Sequence, residues 1–211
     1  MTTMRITVFG AAGGVGRRVL AEAVDRGHDV TAVVRDPARR PGLPGRVVAG
    51  DAAAVEDVVR LSAGQDVVIS ATRPAPGHER DLVTTAEALL AGLARTGVRL
   101  LLVGGAGSLT VPGGGTLVDT PDFPPAWRPI ALACGDQLDA CRADTAVDWA
   151  YLSPPALLEP GVRTGRYRLG RDELLTDAAG RSEISMEDLA VALLDEAERP
   201  RHRRARFTVA Y

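Results

Sequence analysis

Short apolar runs alternate with amphipathic stretches along most of this chain. Six runs read as strands: Arg5–Gly10, Asp29–Val34, Arg46–Ala49, Asp66–Ala71, Val98–Val103 and Val147–Leu152. Val67-Val68-Ile69 and Leu100–Val103 are apolar without alternation, as strands become when helices cover both faces of a parallel sheet. Helical stretches fall between them at Gly14–Arg26, Ala53–Leu61, Glu79–Thr96 and Pro129–Ala143. Strand–helix alternation with short links predicts a doubly wound α/β sheet with helices on both faces. The right-handed crossover rule then favours the strand order 3-2-1-4-5-6. Near the end, Ser185-Met186-Glu187-Asp188 reads as a capping box opening a helix to about Glu198, and Arg206–Tyr211 reads as a last strand. With no internal repeat and no second boundary, residues 1–211 are expected to form a single domain.

Two segments break the rhythm, and both follow the carboxyl ends of strands, where open α/β sheets bind ligands. Gly104–Arg128 is rich in Gly and Pro and carries Phe123 and Trp127. Such a stretch inside a compact domain predicts a functional lid or a disordered link. Ser153–Thr176 begins Ser153-Pro154-Pro155, and a short hairpin is expected around Tyr167–Leu175.

Composition narrows the chemistry more than the fold. A chain of 211 residues with 45% hydrophobic and 25% charged residues can build its own core. Its formal charge of −2 predicts no general attraction to nucleic acid or to an anionic membrane. The one basic cluster, Arg201, Arg203, Arg204 and Arg206, is expected to be a solvated face. All 25 basic residues are arginines and none is lysine, which excludes Schiff-base catalysis and any Tyr–Lys proton relay. The amino terminus runs straight into a strand with no secretory signal pattern, and no run is long enough to span a membrane. Cys134 and Cys141, seven apart in one helical stretch, are too far apart for easy bridging and read as buried thiols. A cytoplasmic protein acting on a small molecule, as a monomer or homodimer, is the expectation.

Gly10-Ala11-Ala12-Gly13-Gly14-Val15-Gly16 lies directly after the first strand and opens the first helix. Gly10 permits a tight turn, Gly13 lets the backbone approach a pyrophosphate, and Gly16 allows close helix packing. Free amides at the helix start would face the phosphates, which predicts a Rossmann-type dinucleotide site. An NAD-preferring site usually carries an acid at the end of the second strand. Here that position is Arg35, whose guanidinium suits a 2′-phosphate, so NADP(H) is the expected cofactor, with Arg39 or Arg40 assisting. Asp36 reads as the cap of the turn begun by Pro37. Asp51 either bonds the adenine or caps the helix that follows, and Ser70-Ala71-Thr72 offers small residues beneath a dinucleotide. Arg73 falls near the pyrophosphate or the substrate mouth.

Together these residues resemble the atypical short-chain dehydrogenase/reductases. The similar branch is the NAD(P)H-binding family of flavin reductases, biliverdin reductase B and NmrA-like sensors. The matching pieces are Val8–Gly16, Thr31–Pro37, Gly50-Asp51, Val103–Leu109, Asp148–Pro155 and Ile184–Ala190, in the family's order and across nearly the whole chain. The resemblance implies cofactor contacts at Gly10, Ala12, Gly13, Gly14, Val15, Arg35, Asp51 and Ala71, to which the glycine turn and the end of the fourth strand add Gly16 and Thr72 as expected contacts. It also implies that Gly104, Gly105 and the turn Pro154-Pro155-Ala156 flank the nicotinamide.

The chain departs from the larger superfamily at the Tyr-x-x-x-Lys pair, since none of Tyr151, Tyr167 and Tyr211 has lysine four residues on. Tyr167–Arg171 copies the spacing with arginine, but in the late insertion. Reduction of a flat conjugated acceptor, a flavin or quinone, tolerates that loss because ring positioning supplies most of the catalysis. Candidate proton donors are Ser108, Asp136 and His78, each with an ordinary surface, turn or capping role as its alternative. His28 reads as structural, and His202 as an unremarkable residue of the arginine run. Phe123, Trp127 and Tyr151 are candidates to line the substrate, with core packing the alternative for Tyr151. Two other readings use the same cofactor site: a non-catalytic NADP(H)-binding redox sensor, and an isomerase- or dehydratase-like enzyme that retains bound NADP(H).

Overall fold

A computed structural model describes residues 2–211. Ten strands and five α-helices run in the order β1 (Arg5–Phe9), α1 (Gly14–Asp25), β2 (Asp29–Val34), β3 (Arg46–Ala49), α2 (Val55–Ser62), β4 (Val67–Ser70), α3 (Asp81–Thr96), β5 (Arg99–Val103), α4 (Arg128–Ala143), β6 (Trp149–Ser153), β7 (Leu157–Glu159), β8 (Arg168–Gly170), β9 (Glu183–Ser185), α5 (Met186–Glu198) and β10 (Ala205–Ala210). The main sheet has the order β3-β2-β1-β4-β5-β6-β10-β8. The expected 3-2-1-4-5-6 core is therefore present, extended by β10 in parallel and by β8 antiparallel at the edge.

Why the central strands read as unbroken apolar runs is visible in the two cores. Val67 and Ile69 of β4 join Val19 and Leu20 of α1 and Leu189 and Leu193 of α5 on one face. Val68 joins Leu89 of α3 and Leu138 of α4 on the other. Helices cover both faces, so both parities of β4 are apolar from Val67 to Ile69, and only Ser70 at its carboxyl end is polar. At the start of α5, Ser185 is the N-cap and its Oγ accepts from Asp188 N at 3.0 Å, as its sequence signature predicts.

The two insertions differ from expectation. No hairpin forms around Tyr167–Leu175, because β8 pairs with the last strand instead. Leu157–Glu159 and Glu183–Ser185 make a separate two-stranded parallel sheet that the sequence did not suggest. Gly104–Arg128 is folded against the domain and is not a disordered link. Leu109 and Val118 in it are buried, and two 3₁₀ turns, Leu117–Asp119 and Pro125–Trp127, shape it. Thr110 N donates to Asp172 O at 2.8 Å, and Leu174 N donates to Thr110 O at 2.8 Å, so each insertion ties down the other.

The arginine run is only in part a solvated face. Arg206 is buried, and its guanidinium joins Asp172 Oδ1 at 2.6 Å to Ser108 Oγ at 2.9 Å. His202 is likewise no bystander: it stacks on Phe207 with ring centroids 4.5 Å apart and lies 2.8 Å from Glu196 Oε2. His28 is structural as expected, buried between Met4 N and Glu198. Among the described residues no helix is long and apolar enough to cross a membrane.

Candidate functional site: a dinucleotide cleft

A cleft of about 960 Å³ opens at the carboxyl ends of β1, β2 and β4. Its floor is the glycine turn from Phe9 to Gly13, and its walls come from Val34–Asp36, Gly50–Ala53, Ala71–Ala75 and the start of α3.

The turn is built for close approach. Gly10 holds φ +74°, and a Cβ there would stand 2.4 Å from the Ala71 carbonyl oxygen, so β1 and β4 part with no room for a side chain. A Cβ on Gly16 would stand 2.2 Å from the Gly10 carbonyl oxygen, which is how the first turn of α1 comes down onto the strand end. Gly13 N closes the loop by donating to Gly10 O at 3.0 Å. The N-terminus of α1 has no side-chain cap and no acid in its first turn. Its leading amides and its positive dipole end are therefore left for an anion. This cradle fits a dinucleotide pyrophosphate.

The rim of the cleft at the end of β2 is cationic. Arg35, Arg39 and Arg40 line it together with Asp36. Asp36 accepts from Ala38 N as the cap of the 3₁₀ turn Pro37–Arg39, and pairs with Arg39 at 3.1 Å. Arg35 and Arg40 are exposed and, among the described residues, their side chains have no hydrogen bond or ion pair. Asp51 also lines the cleft, but it caps no helix: its Oδ1 accepts from Ala53 N at 3.0 Å, and α2 begins only at Val55. Its other carboxylate oxygen remains available.

Only part of the expected site meets in this cleft. Gly10, Ala12, Gly13, Arg35, Asp51, Ala71 and Thr72 line it. Gly14, Val15 and Gly16 stand at the helix start beside it, while Gly104, Gly105 and the Pro154–Ala156 turn lie beyond its walls, at the ends of β5 and β6. Of the proton-donor candidates His78 alone lines the cleft, exposed, with Nδ1 3.8 Å from Asp81. Ser108 is held by Arg206 outside it, and Asp136 is exposed on α4 without a place in the wall.

Tyr151 lines no substrate. It is fully buried, with its hydroxyl 2.8 Å from the Cys134 carbonyl and 3.1 Å from Gln137 Oε1. Burial pushes this phenol far above its ordinary value, so it is neither a base nor an accessible acid. Its ring fills the space where a Cβ on Gly104 would be, which gives Gly104 a packing duty below the expected nicotinamide position. Phe123 is half-buried, and Trp127 is exposed under the Arg73 guanidinium. Residues missed by sequence reading include Leu82, Thr84 and Thr85 of α3, which close one side of the cleft. Their only signal was position on a helix following the fourth strand.

A family model described as NAD(P)H-binding matches residues 10–200, from the glycine turn to the end of α5. The chain belongs to this NAD(P)H-binding family. YwnB of Bacillus subtilis (strain 168) is 41% identical over 215 aligned positions, covering 98% of each chain. A Burkholderia pseudomallei structure, provisionally named as an exported protein, is 42% identical with a TM-score of 0.91, covering 99% of this chain and all of that one. A Streptococcus pneumoniae structure, provisionally named an NADH-flavin reductase, is 34% identical with a TM-score of 0.89, covering 98% of this chain and 99% of that one. The fold and the nicotinamide-dinucleotide class of cofactor follow from this membership.

Proposed function

We propose that the protein is an NADPH-dependent reductase of flat conjugated acceptors, a flavin or a quinone. The observation that carries this reading is the pairing of an open α1 cradle with an unpartnered Arg35 on the rim beyond β2. The cradle would hold the pyrophosphate, and Arg35 with Arg40 would hold a 2′-phosphate in charge-assisted bonds. Asp51 would meet the adenine, and Ala71 and Thr72 would support the dinucleotide where β4 ends. Gly104, Gly105 and Pro154–Ala156 would flank the nicotinamide.

When bound, the cofactor supplies a hydride, two electrons with one proton, to an acceptor that draws its remaining proton from solvent. The chain's part is to bind, align and exclude. Tyr151 is sealed in the core and the sequence has no lysine, so the residues present favour acceptors that need no tyrosine relay. His78 is the one candidate donor at the cleft. A cytoplasmic setting fits the two unbridged cysteines.

The test is NADPH consumption against a panel of FMN, riboflavin and quinones. Turnover with flat acceptors and none with simple ketones is the expected result. A second reading, a redox sensor without turnover, draws on the displacement of Ser108 and Asp136 from the cleft. Tight NADPH binding with silence across the whole panel would count against the reductase, and a conformational difference between the NADP⁺- and NADPH-bound forms would then favour the sensor.

A further inference from the structure

Among the Phe, Trp and Tyr side chains of the described residues, only Trp127 is more than half exposed, at 53%; the next is Tyr211 at 38%. Phe9, Trp149, Tyr151 and Phe207 are committed to the two cores, and Tyr211 gives its hydroxyl to Asp188. Trp127 ends the turn that leads into α4, and over its ring, with Cζ 5.4 Å from the centroid, lies Arg73 from the loop after β4. This arginine lines the dinucleotide cleft, so the pair stands where the cleft meets the Gly104–Arg128 insertion. Pro74 follows Arg73 directly and biases its backbone towards extended conformations. A guanidinium stacked on a ring keeps its N–H edge free to take an anion. Burial pushes the Cys134 thiol of α4 up to about 11, and the Arg73 charge works against that rise. Cys134 Sγ in turn lies against Gly105 at the end of β5.

Resting on the reductase reading, we propose that Arg73 and Trp127 form an acceptor subsite selecting flat conjugated molecules that carry an anionic group. The indole offers a stacking face to the ring system, and the Arg73 edge takes the phosphate or carboxylate attached to it. FMN and riboflavin share one ring system and differ by a phosphate, so they isolate the Arg73 contribution.

The experiment measures dissociation constants of FMN and riboflavin for the NADP⁺-saturated protein by calorimetry, with KM for each in parallel. Expected is an FMN preference on the order of tenfold or more, the size of one charge-assisted contact. Arg73→Gln should erase that preference, with the FMN-to-riboflavin ratio falling towards one whatever its effect on NADPH binding. Trp127→Ala should weaken both flavins alike and leave their ratio intact. Equal affinity of the wild-type protein for the two flavins would overturn the subsite. So would an Arg73→Gln variant that loses NADPH affinity and keeps its flavin ratio, because the arginine would then belong to the cofactor. Failure of both flavins to bind, with NADPH binding retained, overturns the flavin reading itself and is distinguishable from the other two outcomes.

Discussion

Among the described residues no carboxylate holds the Arg35 guanidinium, although Asp36 stands next to it in sequence and Asp51 lines the same cleft. Asp36 is drawn away by the Ala38 amide and by Arg39, so the charge of Arg35 faces the cleft uncompensated. Arg35→Ala is expected to weaken NADPH binding by about 1.5–3 kcal/mol, the range for a charge-assisted hydrogen bond, and to leave NADH nearly unchanged. Titration of both cofactors checks this; an equal loss for the two would assign the 2′-phosphate elsewhere. Single residues were also where sequence reading fared least evenly. Gly10 was legible because its role is dictated by backbone geometry alone. Tyr151 was not, since an aromatic at a strand end suits a pocket or a core equally. Alternation within β6 does discriminate, for Tyr151 shares its face with Trp149, and that face lies under α4.

At the scale of elements, the N-terminus of α5 does more than start a helix. Asp188, in its first turn, is fully buried and accepts four hydrogen bonds: Thr164 N at 2.9 Å, Thr164 Oγ1 at 2.6 Å, Gly165 N at 2.7 Å and the Tyr211 hydroxyl at 2.8 Å. One carboxylate thus fastens the second insertion and the last residue of the chain to a helix end whose dipole favours negative charge. Asp188→Asn puts an amide donor where only donors converge, and should cost about 1–3 kcal/mol in chemical unfolding. Ser185→Ala, which removes only the cap, should cost about 1 kcal/mol. If both variants unfold at the wild-type denaturant concentration, the anchor has no energetic weight. The Ser-to-Asp spacing made the cap legible in sequence, but its destination was not. Thr164, Gly165 and Tyr211 are far from Asp188 along the chain, and strands of three residues such as β7 and β8 are too short to show a period. Their partners are fixed by tertiary contacts, so the hairpin expected near Tyr167 gave way to pairing with β10.

Across the whole molecule, ion pairs join segments that the sheet does not. Glu22 of α1, with its side chain only 6% exposed, takes Arg163 of the second insertion at 2.6 Å and Arg26 at 2.8 Å. The Arg163 bond, then Arg26, outweighs burial and holds this carboxyl below its usual 4.5. Glu196 of α5 behaves alike: burial would raise it, but the His202 and Arg201 amides, the His202 ring and Arg99 together hold it below 4.5. A carboxyl with a lower pKa in the fold than in the open chain binds fewer protons when folded. Its stabilisation is therefore complete above about 4.5 and is lost as the pH falls through the folded value. The protein should lose melting temperature progressively below that point. Arg163→Ala should lower stability at neutral pH by on the order of 1 kcal/mol, a modest figure because Arg163 is more than half exposed to solvent. The gap between variant and wild type should then narrow as the pH drops below about 4.5, since protonated Glu22 no longer distinguishes them. Melting curves of both proteins between neutral and acid pH measure that gap directly. A difference that stays constant down to the acid limit would mean that Arg163 stabilises through packing of its stem, and that the Glu22 charge has no part in holding the second insertion to α1.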